Sequence, residues 1–281
     1  MILSMTCWGI SWTSAKIIAS YGSPMTLSFL RFSLTFLSML IILAVLRQPF
    51  TIKRNGIRDL LAASLTISLY TVLFFKGITV GKAGAGGVLV TILNPIISYA
   101  IMLIMARRRP SPNETLGLSL GLLAGVVLLK LPMEASLIFS AGNIYFLISS
   151  VCWAVLSVFT SRASRYGSTI TFSTWMYGIC IVLLFIFTGV EGPAATLSNA
   201  DGIFWFNLFV TAILATSLAT TFYFIATSRL GASQASSYIF LVPFSAALGA
   251  WIFLNEVPLW HTVAGGLLGI AAVYILNRKI R

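Results

Sequence analysis

Ten apolar runs, each close to the roughly 20 residues that a helix needs to cross a bilayer, set the plan of this chain. They cover Met1–Ser20, Met25–Leu46, Ile57–Phe75, Gly84–Ala106 and Thr115–Leu131, then Asn143–Ser161, Ile170–Val190, Ile203–Ala226, Ala232–Leu254 and Leu259–Asn277. Short stretches of glycine, proline, serine and charged residues separate them. The pattern predicts an all-α membrane protein of ten transmembrane helices, five in residues 1–137 and five in residues 138–281. Met1–Ser20 lacks the basic leader of a signal peptide, so it reads as a retained first span, and its missing polar leader fits a shortened start.

The two sets of five are copies. One offset carries Cys7, Trp8, Tyr21, Gly22 and Ser23 onto Cys152, Trp153, Tyr166, Gly167 and Ser168. A slightly larger offset carries Pro95, Pro110, Gly117 and Gly121 onto Pro243, Pro258, Gly265 and Gly269, a difference that one intervening loop absorbs. Basic residues orient them. With a cytoplasmic N-terminus, the inner connections hold Arg47, Lys53, Arg54, Arg58, Arg107, Arg108, Arg109, Arg162, Arg165, Arg229, Arg278, Lys279 and Arg281, whereas the outer ones hold only Lys76, Lys82 and Lys130. That bias puts both termini in the cytoplasm. An odd number of spans per copy then makes the repeats inverted, the design in which a site between two bundles faces each side in turn. Transport is the natural reading. A non-transporting scaffold or a lipid-binding protein is the alternative that duplication alone would also allow.

Composition agrees with the membrane setting, because 58% of the residues are hydrophobic and 9% charged. The net charge of +12 would suggest nucleic acid in a soluble chain, but here it is spread over loops rather than gathered in a patch, so no nucleic-acid partner is expected. Cys7, Cys152 and Cys180 lie in apolar runs and His261 is the sole histidine, which leaves no metal or disulfide spacing. The chain lacks HExxH and GxSxG motifs, and Gly84–Gly87 lacks the frame of a phosphate loop. No enzyme activity and no cofactor are expected; the partners are a small-molecule substrate and membrane lipids. All six acids fall at span ends or in loops, which disfavours coupling through a buried carboxylate and points to uniport or exchange.

Candidate site residues come from the spans. Ser4, Cys7, Trp8, Ser11, Trp12 and Ala15 share a face of the first helix, suited either to an amphipathic solute or to filling the bundle core. Lys16 and Arg31 are basic residues at membrane depth, roughly 8 Å before the turn at Tyr21 and roughly 10 Å after Pro24 at about 1.5 Å per residue. Either would bind a substrate carboxylate or phosphate, or snorkel to headgroups. Asn94 beside Pro95 is a polar contact or a packing group where proline frees the backbone. Trp153 repeats Trp8, and Tyr70, Tyr99, Tyr223 and Tyr238 supply hydroxyls to a cavity or aromatic rings to an interface. The glycine stripes Gly117/Gly121/Gly125 and Gly265/Gly269 hold a helix pair together, or join two copies in a homodimer of an otherwise monomeric protein.

A resemblance unites these features. Trp8-Gly9 followed by Lys16, Pro24 leading to Arg31, Asn94-Pro95, Val242-Pro243, and Asn255-Glu256 followed by Gly265 and Gly269 together resemble the drug/metabolite transporter superfamily, specifically its ten-helix EamA-type group. The resemblance covers nearly the whole chain. It implies a multi-pass carrier of the cell inner membrane, frequently an exporter of amino acids or related metabolites, with a central cavity lined by the first, third, fourth, sixth, eighth and ninth spans. At the matching positions it implies Trp8, Ser11, Asn94 and Trp153 as lining, with Arg31 the basic residue of the second span. The substrate-binding set is therefore Trp8, Ser11, Trp12, Lys16, Arg31, Asn94, Trp153 and Tyr238. Two positions depart from the group: Arg107-Arg108-Arg109 stands where a glutamate follows the fourth span, and Ala154 follows Trp153 where a glycine is usual.

Overall fold

A computed structural model describes residues 1–81, 83–128, 141–246 and 260–278. Helices α1 (Ile2–Ile18), α2 (Pro24–Val45), α3 (Ile57–Val80), α4 (Ala83–Ala106) and α5 (Pro112–Leu128) form the first half. The second half begins with α6 (Ala141–Thr160), a short α7 (Ala163–Tyr166), α8 (Thr169–Thr188) and the short α9 (Glu191–Ser198). Next come α10 (Gly202–Phe209), a π-helical segment (Val210–Thr220), α11 (Thr221–Leu230), α12 (Ala232–Ser237), a 3₁₀ turn (Tyr238–Leu241) and α13 (Trp260–Asn277). Among the described residues there is no strand. Among the described residues seven helical stretches are long and apolar enough to cross a membrane, so the chain is an all-helical, multi-pass membrane protein. The run expected at Ala232–Leu254 starts as α12 and the 3₁₀ turn and continues as helix through residue 246; its remainder lies outside the described residues, as do Lys82, Lys130, Glu134, Asn255-Glu256, Pro258, Lys279 and Arg281.

Local chemistry sets the helix starts. Ser23 Oγ accepts from Thr26 N at 3.2 Å ahead of Pro24, and its repeat counterpart Ser168 accepts from Ile170 N at 3.3 Å. Ser111 and Glu114 form a reciprocal capping box, Ser111 N donating to Glu114 Oε2 at 2.8 Å and Glu114 N to Ser111 Oγ at 3.3 Å. The fifth helix accordingly begins at Pro112, three residues earlier than its apolar run. The third helix continues past Phe75 to Val80 and carries an exposed Lys76 on its surface, where a flexible stem keeps the ammonium in a polar layer.

Packing divides inside from outside. Leu37, Ile41 and Val45 on α2, and Leu61, Leu65 and Leu69 on α3, recur every four residues and are exposed, a stripe that only a lipid solvent makes favourable. Inward faces carry small hydroxyls instead: Ser28, Thr35 and Ser64 return their protons to the carbonyl four residues back, which keeps buried polar groups satisfied. The main helix pairs are α3 with α6, α5 with α13, α2 with α8, α4 with α6, and α1 with α10 and the π segment. Glycines permit the closest of these. A Cβ on Gly142 would stand 2.5 Å from Gly81 Cα. A Cβ on Gly117 would meet Leu276 Cγ at 2.5 Å, and one on Gly265 would meet Leu128 Cγ at 2.5 Å. Gly117 and Gly265 thus bring α5 and α13 together within one chain, while Gly121 and Gly269 face Phe240 and Gly125 faces Ile92.

Candidate functional site

Where α1, α2, α3, α4, α6, the π segment and the 3₁₀ turn converge, they enclose a cavity of about 50 Å³, room for a few waters. Its wall holds Trp8, Ser11, Trp12, Arg31, Tyr70, Phe74, Val90, Thr91, Asn94, Trp153, Thr220, Ile239 and Val242. Six of the eight residues singled out in the sequence therefore meet at one place. Lys16 and Tyr238 do not reach it. Lys16 Nζ donates to Ile78 O at 2.7 Å and to Gly81 O at 3.4 Å, closing the open carbonyl end of α3. Tyr238 packs, half-buried, against the apolar cluster around Ile92, Phe240 and Val273.

The indoles are structural braces as well as walls. Trp8 Nε1 donates to Ala215 O at 3.0 Å and shares its proton with Thr220 Oγ1 at 3.2 Å. Its ring stands edge-on to Trp153 at 5.1 Å between centroids, while Tyr70 lies 4.7 Å from Trp153 and Trp12 lies 4.8 Å from Phe74. Aromatic rings at these separations add to simple burial. Ser11 Oγ donates back to Trp8 O at 2.8 Å. On α4, Asn94 is held by long contacts, Nδ2 to Ser150 O and Ser98 Oγ to its Oδ1, each 3.5 Å. Pro95 has no N–H for the carbonyl of Thr91, and Thr91 belongs to the cavity wall.

The π segment contributes Thr220 to the wall and carries the partner of Arg31 behind it. In it Thr216, Ser217 and Thr220 hydroxyls donate five residues back, to Thr211 O at 2.7 Å, Ala212 O at 3.0 Å and Ala215 O at 2.8 Å. Neighbouring helices use the same carbonyls: Thr35 Oγ1, whose proton goes mainly to Arg31 O at 2.8 Å, shares it with Ala212 O at 3.1 Å, and Trp8 donates to Ala215 O. Ser38 and Ser217 hydroxyls are also bonded to each other. Arg31 Nε donates to Thr216 Oγ1 at 2.9 Å, with its guanidinium carbon 5.8 Å from the Phe74 ring centre. Among the described residues no carboxylate lies within ion-pair distance of Arg31, and no cluster of His, Cys, Asp or Glu could hold a metal.

Sequence reasoning missed Phe74, Val90, Thr91, Thr220 and Ile239, and met Val242 only through the Val242-Pro243 pair. Two signals were available. Tyr70 and Phe74 share a helix face, as do Val90, Thr91 and Asn94, and Thr216-Ser217 with Thr220-Thr221 form a hydroxyl-rich patch inside an otherwise apolar run.

A model of the EamA-like transporter family matches residues 1–130 and 140–278. An Archaeoglobus fulgidus protein named an uncharacterized transporter is 26% identical over 99% of this chain and 98% of its own length. The uncharacterized transporter YvbV of Bacillus subtilis is 24% identical over 97% of this chain and 88% of its own. A Streptantibioticus cattleyicolor protein named a probable terminal-alkyne amino-acid exporter is 24% identical over 99% and 92%. A solved crystal structure shares the fold with a TM-score of 0.71 at 17% identity, covering 98% of this chain and 94% of that one.

Proposed function

The chain belongs to the EamA-like transporter family, and on that premise we propose that it exports a small organic metabolite, an amino acid or a related compound, across the cell inner membrane by alternating access. In this reading residues 1–137 and 138–281 form two inverted five-helix repeats with both termini in the cytoplasm. The observation that carries it is the cavity itself. Helices of the first half supply Trp8, Arg31, Tyr70 and Asn94, and elements of the second half supply Trp153, Thr220 and Val242, so relative motion of the halves would reshape the site. Trp8, Ser11, Trp12, Arg31, Asn94 and Trp153 are the proposed solute contacts. With room for only a few waters, the walls must part before such a solute enters.

Three observations support the repeat arrangement. Exchanging the halves span for span turns the contact of α3 with α6 into that of the π segment with α1, and returns α2 with α8 and α5 with α13 to themselves; all of these pairs are packed. The family model matches a segment in each half. In addition, Tyr21 OH donates to Asp201 Oδ1 at 2.9 Å and its repeat counterpart Tyr166 OH donates to Asp59 Oδ2 at 2.6 Å, so equivalent tyrosines tie equivalent third-span starts of opposite repeats. Both halves belong to one chain, so a monomer suffices to build the cavity. An amino acid is the first class to test because a relative bears the name of an amino-acid exporter.

The test is flux. Proteoliposomes loaded with a mixed amino-acid and metabolite pool should release a defined member without an imposed proton gradient, and Arg31→Ala should abolish that release while remaining folded. Absence of efflux for every pool member would sink the proposal and favour a lipid-binding or scaffold role.

A further inference from the structure

We propose that the solute of this cavity is a net monoanion, a carboxylate on an apolar or aromatic body, and that the site disfavours the zwitterion of the same skeleton. The inference rests on the transport reading above and, of the two solute classes named there, selects the related compound, a carboxylate without the ammonium, over the amino acid itself.

The cavity wall carries one fixed charge. Arg31 Nε is bonded to Thr216 Oγ1, and no other hydrogen bond or ion pair engages the guanidinium among the described residues. Among the described residues the four hydrogens on its two Nη atoms therefore have no hydrogen-bond acceptor. A buried cation is tolerated when an anion or water answers it, and the planar fork of an arginine fits both oxygens of a carboxylate at once. Thr216 fixes where that fork sits. Its own proton goes to Thr211 O at 2.7 Å, a direction set by the π turn, so its oxygen can only accept from Arg31. Thr216 is thus a positioning residue for the anion.

What the wall lacks is equally specific. A zwitterion brings an ammonium, and among the described residues no carboxylate lines the cavity to answer it; the acceptors there are neutral, the Thr91 carbonyl that Pro95 leaves without a donor and Asn94 Oδ1. The acids in the described residues are engaged or remote: Asp59 with Tyr166 and Arg162, Glu114 with Arg108, Asp201 with Tyr21, and Glu191 at the start of α9. Glu134 and Glu256 lie outside the described residues. An ammonium in so small a space would also stand near Arg31 and raise the net positive charge in a low dielectric. Aromatic faces attract cations, yet the Phe74 face already has the guanidinium beside it. The remaining rings, Trp8, Trp12, Tyr70 and Trp153, offer an apolar bed for the body of the solute.

A matched trio that differs in charge alone decides the matter: phenylpropionate, phenylalanine and phenethylamine, titrated against the purified protein in lipid nanodiscs by tryptophan fluorescence and by thermal shift. Phenylpropionate should bind roughly tenfold or more tightly than phenylalanine, with phenethylamine weakest. Arg31→Gln, verified as folded by its helical circular dichroism, should erase that order, and Arg31→Lys should keep part of it because the charge survives without the fork. Thr216→Val should narrow the preference for the acid while leaving phenethylamine unchanged, a pattern that general loosening would not give. Equal affinity for all three, a flat response to all three, tighter binding of phenylalanine, or an acid preference that survives Arg31→Gln would each overturn the proposal. A protein that moves phenylalanine in the flux assay yet ignores phenylpropionate would keep the transport reading and lose this one.

Discussion

Thr216→Val tests the contact that positions Arg31 in the cavity wall. Valine has nearly the shape of threonine, so the substitution opens no void, and the backbone of the π segment still reaches Thr211 O. What disappears is the acceptor for Arg31 Nε at 2.9 Å, together with the hydroxyl's own bond to Thr211 O at 2.7 Å. A hydrogen bond to a charged group is worth about 1.5–3 kcal/mol, or a factor of roughly 10–150 in the folded-to-unfolded ratio at about 1.4 kcal/mol per tenfold. The control is Arg31→Met, which removes the cation together with its need for partners and is expected to be neutral or stabilising, since a buried charge replaced by an apolar group of similar length loses its desolvation penalty. In that background Thr216→Val should cost only what its bond to Thr211 O is worth, about 0.5–1.5 kcal/mol, giving a coupling between the two positions of about 1 kcal/mol or more. Reversible unfolding in mixed micelles, measured for the wild type, both single variants and the double variant, reads each term. Additive single effects would refute the claim that Thr216 acts through Arg31.

Trp8→Phe keeps a ring against Trp153 but loses the indole proton shared by Ala215 O and Thr220 Oγ1; the same unfolding assay should register a loss of about 1 kcal/mol. Gly142→Ala drives a methyl into the Gly81 backbone and should destabilise by roughly 1–3 kcal/mol despite alanine's better helix propensity, whereas Gly202→Ala, with nothing within 4 Å of the added methyl, should be neutral or slightly stabilising in thermal melts. The Phe204 amide, then the Tyr21 hydroxyl, hold the Asp201 carboxyl below its usual range. Its folded pKa lies under the unfolded value of about 4, so the stability it adds is present above that value and fades as pH falls through the lower folded one; the difference between wild type and Asp201→Asn should be flat near neutrality and shrink below about pH 4.

Most of the helical frame was legible from hydrophobicity alone, because lipid demands uninterrupted apolar length and every loop carries a breaker or a charge. The contact of α5 with α13 was legible for a related reason: glycine at four-residue spacing has few uses in a span other than close approach. The cavity was half legible. Trp8, Ser11, Arg31 and Trp153 announced themselves as bulky or polar groups out of keeping with a lipid-facing helix, while Val90, Ile239 and Val242 are chemically ordinary and become wall only by convergence. Lys16 looked like Arg31 in sequence. Its acceptors are carbonyls of α3, 62 and 65 residues away, and no local pattern reports such a partner. The π segment was hidden because hydrophobic periodicity over 11 residues hardly separates π from α winding, although the threonines and serines that bond five residues back were visible as a polar cluster.

Alternating access at this cavity is tested most directly by two-sided labelling at Ser11, a wall residue whose conversion to cysteine changes little volume. With Cys7, Cys152 and Cys180 replaced by alanine, Ser11→Cys is exposed to a membrane-impermeant maleimide in sealed vesicles of each orientation, with and without transported solute. The account predicts modification from both faces, with the balance between them shifted by solute. Labelling confined to one face under every condition, or absent from both, would contradict it.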